Sequence, residues 1–77
     1  MFQYNICTEP DREIFIRQCR ALEKHIPGLI KCDLLEDADG SEFQIYKLND
    51  KEIVVHNSYY IGAVFIESDI DIDKYFS

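Results

Sequence analysis

At 77 residues the chain holds one domain, near the size at which a single core only just sustains a fold. An apolar fraction of 47% with five Tyr and five Phe excludes a disordered chain despite the net charge of −7. The longest apolar run falls far short of the roughly 20 residues a membrane-spanning helix needs, so the reading is a soluble protein without membrane contact.

The charge is unevenly divided. Residues 1–32 carry five Lys or Arg against four Asp or Glu, whereas residues 33–77 carry three against eleven. A field of that sign repels nucleic-acid phosphates, which need Lys and Arg to neutralise them, and attracts basic proteins or divalent cations. Nucleic acid is therefore excluded as the expected partner. Cys7, Cys19 and Cys32 are odd in number and lack C-x-x-C spacing, and no hydrophobic leader precedes the first apolar alternation. The expected compartment is the cytoplasm.

In chain order, Phe2, Tyr4 and Ile6 alternate with Gln3, Asn5 and Cys7, the pattern of a strand with one buried face. Thr8-Glu9-Pro10-Asp11 has the chemistry of a helix start: a capping hydroxyl, acidic groups for the positive helix end, and a proline tolerated in the first turn. Phe15, Cys19, Leu22 and Ile26 then fall on one stripe, widened by Ile14 and Ile16, with Glu13, Arg17, Arg20 and Lys24 opposite. Pro27-Gly28 ends a helix predicted over about 9–26. Ile30, Cys32 and Leu34 predict a second strand, Asp37–Ser41 a turn, and Phe43–Tyr46 a third strand paired with the second. Asn49-Asp50-Lys51 and Asn57-Ser58 bound a fourth strand over Ile53–His56. The uncharged run Tyr59–Ile66 is rich in aromatic and β-branched residues on both alternating faces. It predicts a central strand continuing to about residue 70, followed by an irregular or helical turn that docks Tyr75 and Phe76. The order β-α-β-β-β-β gives the α+β class: one mainly antiparallel sheet with a single amphipathic helix on one face.

Alternation assigns Phe2, Tyr4, Ile6, Ile30, Cys32, Leu34, Phe43, Ile45, Ile53 and Val55 to the helix side. Gln3, Asn5, Lys31, Asp33, Gln44, Tyr46, Leu48, Val54 and His56 go to the other face. That second face has the composition of a contact patch more than of a solvated sheet. The expected occupant is a basic protein partner or a second copy of the chain, with a fold-back of the C-terminal tail as the alternative.

The remaining chemistry is sparse. Asp33, Glu36, Asp37 and Asp39, and again Glu67, Asp69, Asp71 and Asp73, could supply oxygen ligands to Ca²⁺ or Mg²⁺. An EF-hand loop aligned on Gly40 would, however, put Leu35 at its first ligand and Tyr46 at its bidentate Glu position, so solvated turn and tail charge is the favoured reading. Cys7 before a helix start is the best candidate for a reactive thiol, opposed by Glu9 and Asp11. Zinc would need His25 or His56 beside the thiols, without finger-like spacing. His56 is the one acid–base candidate on the second face, and no nucleophile partners it. Ser58-Tyr59-Tyr60-Ile61-Gly62 carries the Tyr-Ile-Gly half of the GIY-YIG nuclease signature, but the preceding Gly-Ile-Tyr element and the downstream Arg and Glu are missing. No cofactor motif is present. The expectation is a non-enzymatic protein-binding module, in the manner of a small inhibitor or toxin-neutralising protein. Tyr46, His56, Tyr59 and Tyr60 would make the contact, and Glu67, Asp69, Asp71 and Asp73 would steer a basic partner. The alternatives are a homodimeric accessory protein and a divalent-metal-responsive module.

Overall fold

A computed structural model describes residues 1–76. The elements run β1 (Phe2–Cys7), α1 (Arg12–His25), β2 (Ile30–Glu36), β3 (Glu42–Leu48), β4 (Lys51–Ser58), β5 (Ala63–Ser68) and a 3-10 turn, Asp73–Tyr75. The strands form one antiparallel sheet in the order β1-β5-β4-β3-β2. The α+β class and the single helix on one face are as the sequence predicts. Strand β4 takes the middle of the sheet, and β1 closes it as an edge strand beside β5. No helix among the described residues is long and apolar enough to cross a membrane.

The helix is shorter than its expected span at both ends, for reasons set by the two prolines. Pro10 keeps its neighbour Glu9 out of helical geometry, and Asp11, extended at φ −153°, becomes the N-cap in place of Thr8. Its Oδ1 accepts the backbone N–H groups of Glu13 and Ile14 at 2.9 and 3.1 Å. Ile26 precedes Pro27 and is extended too, so the helix stops at His25. Phe15, Cys19, Leu22 and Ile26 form the apolar stripe as expected and bury against Ile53 and Val55 of β4, Val64 and Ile66 of β5, and Tyr46 and Leu48 of β3.

Three assignments differ from the sequence reading. In β3 the frame is inverted: Gln44, Tyr46 and Leu48 face the helix, and Phe43, Ile45 and Lys47 lie on the opposite face. Tyr46 is fully buried, and its hydroxyl donates to Glu23 Oε2 at 2.6 Å. Strand β2 carries a bulge between Lys31 and Leu34: Leu34 faces the helix side as expected, but Lys31 pairs with Tyr46 on that side too, and Ile30 lies on the far side with Leu35, Lys47 and Phe43. Gln44 Nε2 donates to the Cys32 and Asp33 carbonyls, at 2.9 and 3.3 Å, which satisfies backbone groups at that irregularity. The third difference is the run expected as the central strand. Only Ala63–Ser68 is strand, and Tyr59–Gly62 forms the β4–β5 turn, held by Ile61 N–H to Ser58 Oγ at 3.0 Å and Gly62 N–H to Ser58 O at 2.9 Å.

The tail settles on the helix side. Ile72 is buried in the core, and Tyr4 bridges to it by accepting the Ile72 N–H at 3.0 Å and donating to Asp71 at 2.9 Å. Tyr75 packs against the same core, while Phe76 is partly exposed beside the His25 ring. The tail therefore leaves the second face of the sheet bare.

Candidate functional site

The strand registers place Leu35, Phe43, His56, Phe65 and Asn5 in one row across all five strands on the bare face. Ile45, Val54, Glu67 and Gln3 form the next row. The His56 ring lies flat on Phe65, with centroids 4.4 Å apart, and meets Phe43 edge-on at 5.6 Å. Phe65 is thereby only 5% exposed on a face that no element among the described residues covers, whereas Leu35 is 45% exposed.

His56 Nε2 lies 2.9 Å from Glu67 Oε1. Burial between the two phenyl rings lowers the His56 pKa, and the Glu67 charge opposes that without overcoming it. A lowered pKa favours the uncharged ring at neutral pH.

Two turns meet beyond this row. Ser41 Oγ accepts the Tyr59 N–H at 2.8 Å, which ties the β2–β3 turn to the β4–β5 turn. Gly40, at φ +90°, lies under the Tyr59 ring, where a Cβ would stand 3.5 Å from it. Within the first turn Asp37 Oδ1 accepts the Ala38 N–H and Asp39 Oδ1 the Ser41 N–H, both at 2.9 Å. The Ser41 backbone and hydroxyl hold the Asp39 carboxyl below its usual range. The joined turns and the aromatic row enclose a concavity of about 360 Å³, with Asp37, Asp39 and Glu67 around Phe43, His56 and Phe65, and with Tyr60 and Ile61 at its lip. Tyr60 is 92% exposed. Lys47 lies at the other end of the same face, 3.0 Å from Glu52.

The residues nominated from sequence are thus divided. His56, Tyr60 and Glu67 come together in the concavity. Tyr59 packs over the turn that shapes it. Tyr46 lies in the core beneath the helix, which corrects its expected place on the contact face. Asp69 and Asp71 are occupied elsewhere: Asp69 Oδ2 accepts the Glu52 N–H at 3.0 Å, and Asp71 Oδ1 accepts both Tyr4 Oη–H and the Asp73 N–H. Asp73 opens the 3-10 turn and lines a separate hollow with Tyr4 and Ile6. Phe43 and Phe65 were not nominated, and Asp37 and Asp39 were weighed only as metal ligands or solvated turn charge. Their signal was the pairing of Phe43 with His56, which becomes visible once the β3–β4 register is known.

Among the described residues no three His, Cys, Asp or Glu side chains converge where a metal ion could sit. Cys7, Cys19 and Cys32 are unpaired. Burial pushes the Cys19 thiol up in pKa, and Cys7 Sγ donates to the Glu9 carbonyl at 3.0 Å. No protein-family model, curated protein or solved structure matches the chain.

Proposed function

We propose that this protein is a non-enzymatic binding module whose bare sheet face docks a basic protein partner, in the manner of a small inhibitor or toxin-neutralising protein. The observation that carries this reading is the row Leu35, Phe43, His56 and Phe65, uncovered by any described element and bordered at one end by Asp37, Asp39 and Glu67. Aromatic and aliphatic groups supply desolvated contact area, and the surrounding carboxylates favour encounter with a positive surface. A second copy is the poorer occupant, because two chains of net charge −7 repel each other. The three unpaired thiols fit a reducing, cytoplasmic setting.

The test is capture from a lysate of the source organism at about 0.05 and about 0.5 M salt, where the Debye length contracts from above 10 Å to a few Å. Wild type is compared with Leu35→Ser/Ile45→Ser on the bare face and with Arg17→Glu on the exposed helix surface. A partner with a basic surface, lost on the bare-face variant and in high salt but kept by Arg17→Glu, supports the reading. Recovery of the protein alone, as a dimer by sedimentation, overturns it.

A further inference from the structure

We propose that the concavity at the turn end of the bare face is a receptor for one arginine side chain of the docked partner. The inference rests on the docking reading above and specifies which group of the partner that end recognises.

Its shape comes first. The hollow has about 360 Å³, enough for a side-chain end. It has ring surfaces from Phe43, His56 and Tyr60 and carboxylates from Asp37, Asp39 and Glu67. A guanidinium suits that combination: it is planar and weakly hydrated, it stacks on aromatic faces, and its fork of donors matches carboxylates in pairs. An ammonium can satisfy the charge but not the stacking. An anion or a phosphate would meet three carboxylates.

Preorganisation comes second. Asp37 N–H donates to Ser41 O at 2.8 Å and Gly40 N–H to Asp37 O at 3.1 Å, closing the turn on itself. Ser41 then clamps it to Tyr59. The hydrogen bonds that fix Asp37 and Asp39 use Oδ1 of each, and a carboxylate has two oxygens with which to accept. The acceptors are thus oriented before any ligand arrives, which lowers the ordering cost of binding. Charge comes third. Asp37, Asp39 and Glu67 line the hollow, and no Lys or Arg among the described residues does, so it favours a cation.

The probe is N-acetyl-arginine amide, titrated to about 20 mM against ¹⁵N-labelled full-length protein, since a lone side chain in such a site falls in the millimolar range. N-acetyl-citrulline amide, of the same shape without the charge, and N-acetyl-lysine amide are the controls. Saturable shifts are expected at Asp37–Ser41, Phe43, His56, Tyr60 and Glu67, with citrulline at least about fivefold weaker and lysine about threefold weaker. Asp39→Asn/Glu67→Gln, whose dispersed spectrum verifies folding, should lose the preference for arginine over citrulline. No saturable shift, equal binding of either control, or shifts confined to the Asp69–Asp73 tail overturns the arginine site. The docking reading fails on a different result, a partner indifferent to Leu35 and Ile45, so the two failures are distinguishable.

Discussion

Tyr46→Phe tests the orientation of β3, on which the whole assignment of faces depends. The frame of the strand decides whether Tyr46 lies under the helix or on the far face, and the structure buries it in the cluster with Cys19 and Leu22. Its hydroxyl donates 2.6 Å to Glu23 Oε2 and lies 3.4 Å from the Cys19 carbonyl. A hydrogen bond to a charged group contributes about 1.5–3 kcal/mol. Glu23 is 39% exposed at its side chain and also sits 3.7 Å from Lys31, so water and the ammonium would take over part of what the phenol supplies. The net cost should be about 1–2 kcal/mol. For a domain of this size each kcal/mol lowers Tm by roughly 4–8 °C, which predicts a drop of about 5–15 °C by circular dichroism. Burial and the Glu23 carboxylate also push the Tyr46 pKa far above that of a free tyrosine, so the phenol should stay protonated until alkaline unfolding. Partner binding should not change. An unaltered Tm together with lost binding would place the phenol on the outer face and refute the register argued here.

Two other predictions follow from single contacts. Acid should destabilise the fold in two stages: His56 has a folded pKa below its ordinary 6.5, so the unfolded state binds its proton first, and stability falls as pH drops from about 6.5 through the folded value. Asp39 and Asp71, both held below 3.8, add a loss that begins under about pH 4; His56→Gln should abolish the first stage of a urea-denaturation series against pH and leave the second. Tyr4→Phe removes the hydroxyl that bonds both Asp71 and the Ile72 N–H, and should cost about 1 kcal/mol while raising amide hydrogen exchange at Ile72 more than at Val55; equal exchange at both would mean the tail is held by Ile72 burial alone.

What could be read in the sequence was whatever a local period specifies. The stripe Phe15, Cys19, Leu22, Ile26 recurs at helical spacing and went where the period sends it. The β-turns at residues 37–41 and 49–50 were visible in their Asp, Asn and Gly content. β3 was not legible, because Phe43-Gln44-Ile45-Tyr46-Lys47-Leu48 has two apolar residues in each frame, so alternation gives no decision. The frame is decided by partners distant in sequence: Ile53 across from Tyr46, Glu23 on the helix, and Arg12, which pairs at 2.9 Å with the buried Glu42. Tyr59-Tyr60-Ile61 misled through strand propensity, since Ser58 captures the Ile61 and Gly62 amides and turns the chain there instead. Asp37 and Asp39 read as ordinary solvated turn charge, and became a site border only because Ser41 joins their turn to the next hairpin.

The bare face also raises a question of stability that bears on function. The helix-side core is complete without it: the buried cluster of Phe15, Leu22, Tyr46, Ile53, Val55, Val64, Ile66 and Ile72 includes no residue of the Phe43–His56–Phe65 row. Cross-strand pairs on an open face contribute roughly 0.2–1 kcal/mol each, an amount that Thr pairs or opposite charges can also supply. Lys47 and Glu52 do so at the far end of this same face, 3.0 Å apart. Folding alone therefore does not require Leu35, Phe43, Ile45 and Val54 to be apolar, and exposed apolar residues on a sheet with an open edge at β2 carry a cost in self-association. The acidic border limits that cost, because it repels copies of the same chain while leaving a positive surface free to approach. On the docking reading proposed above, the apolar rows supply contact with a positive partner and the carboxylates oppose contact with a second copy.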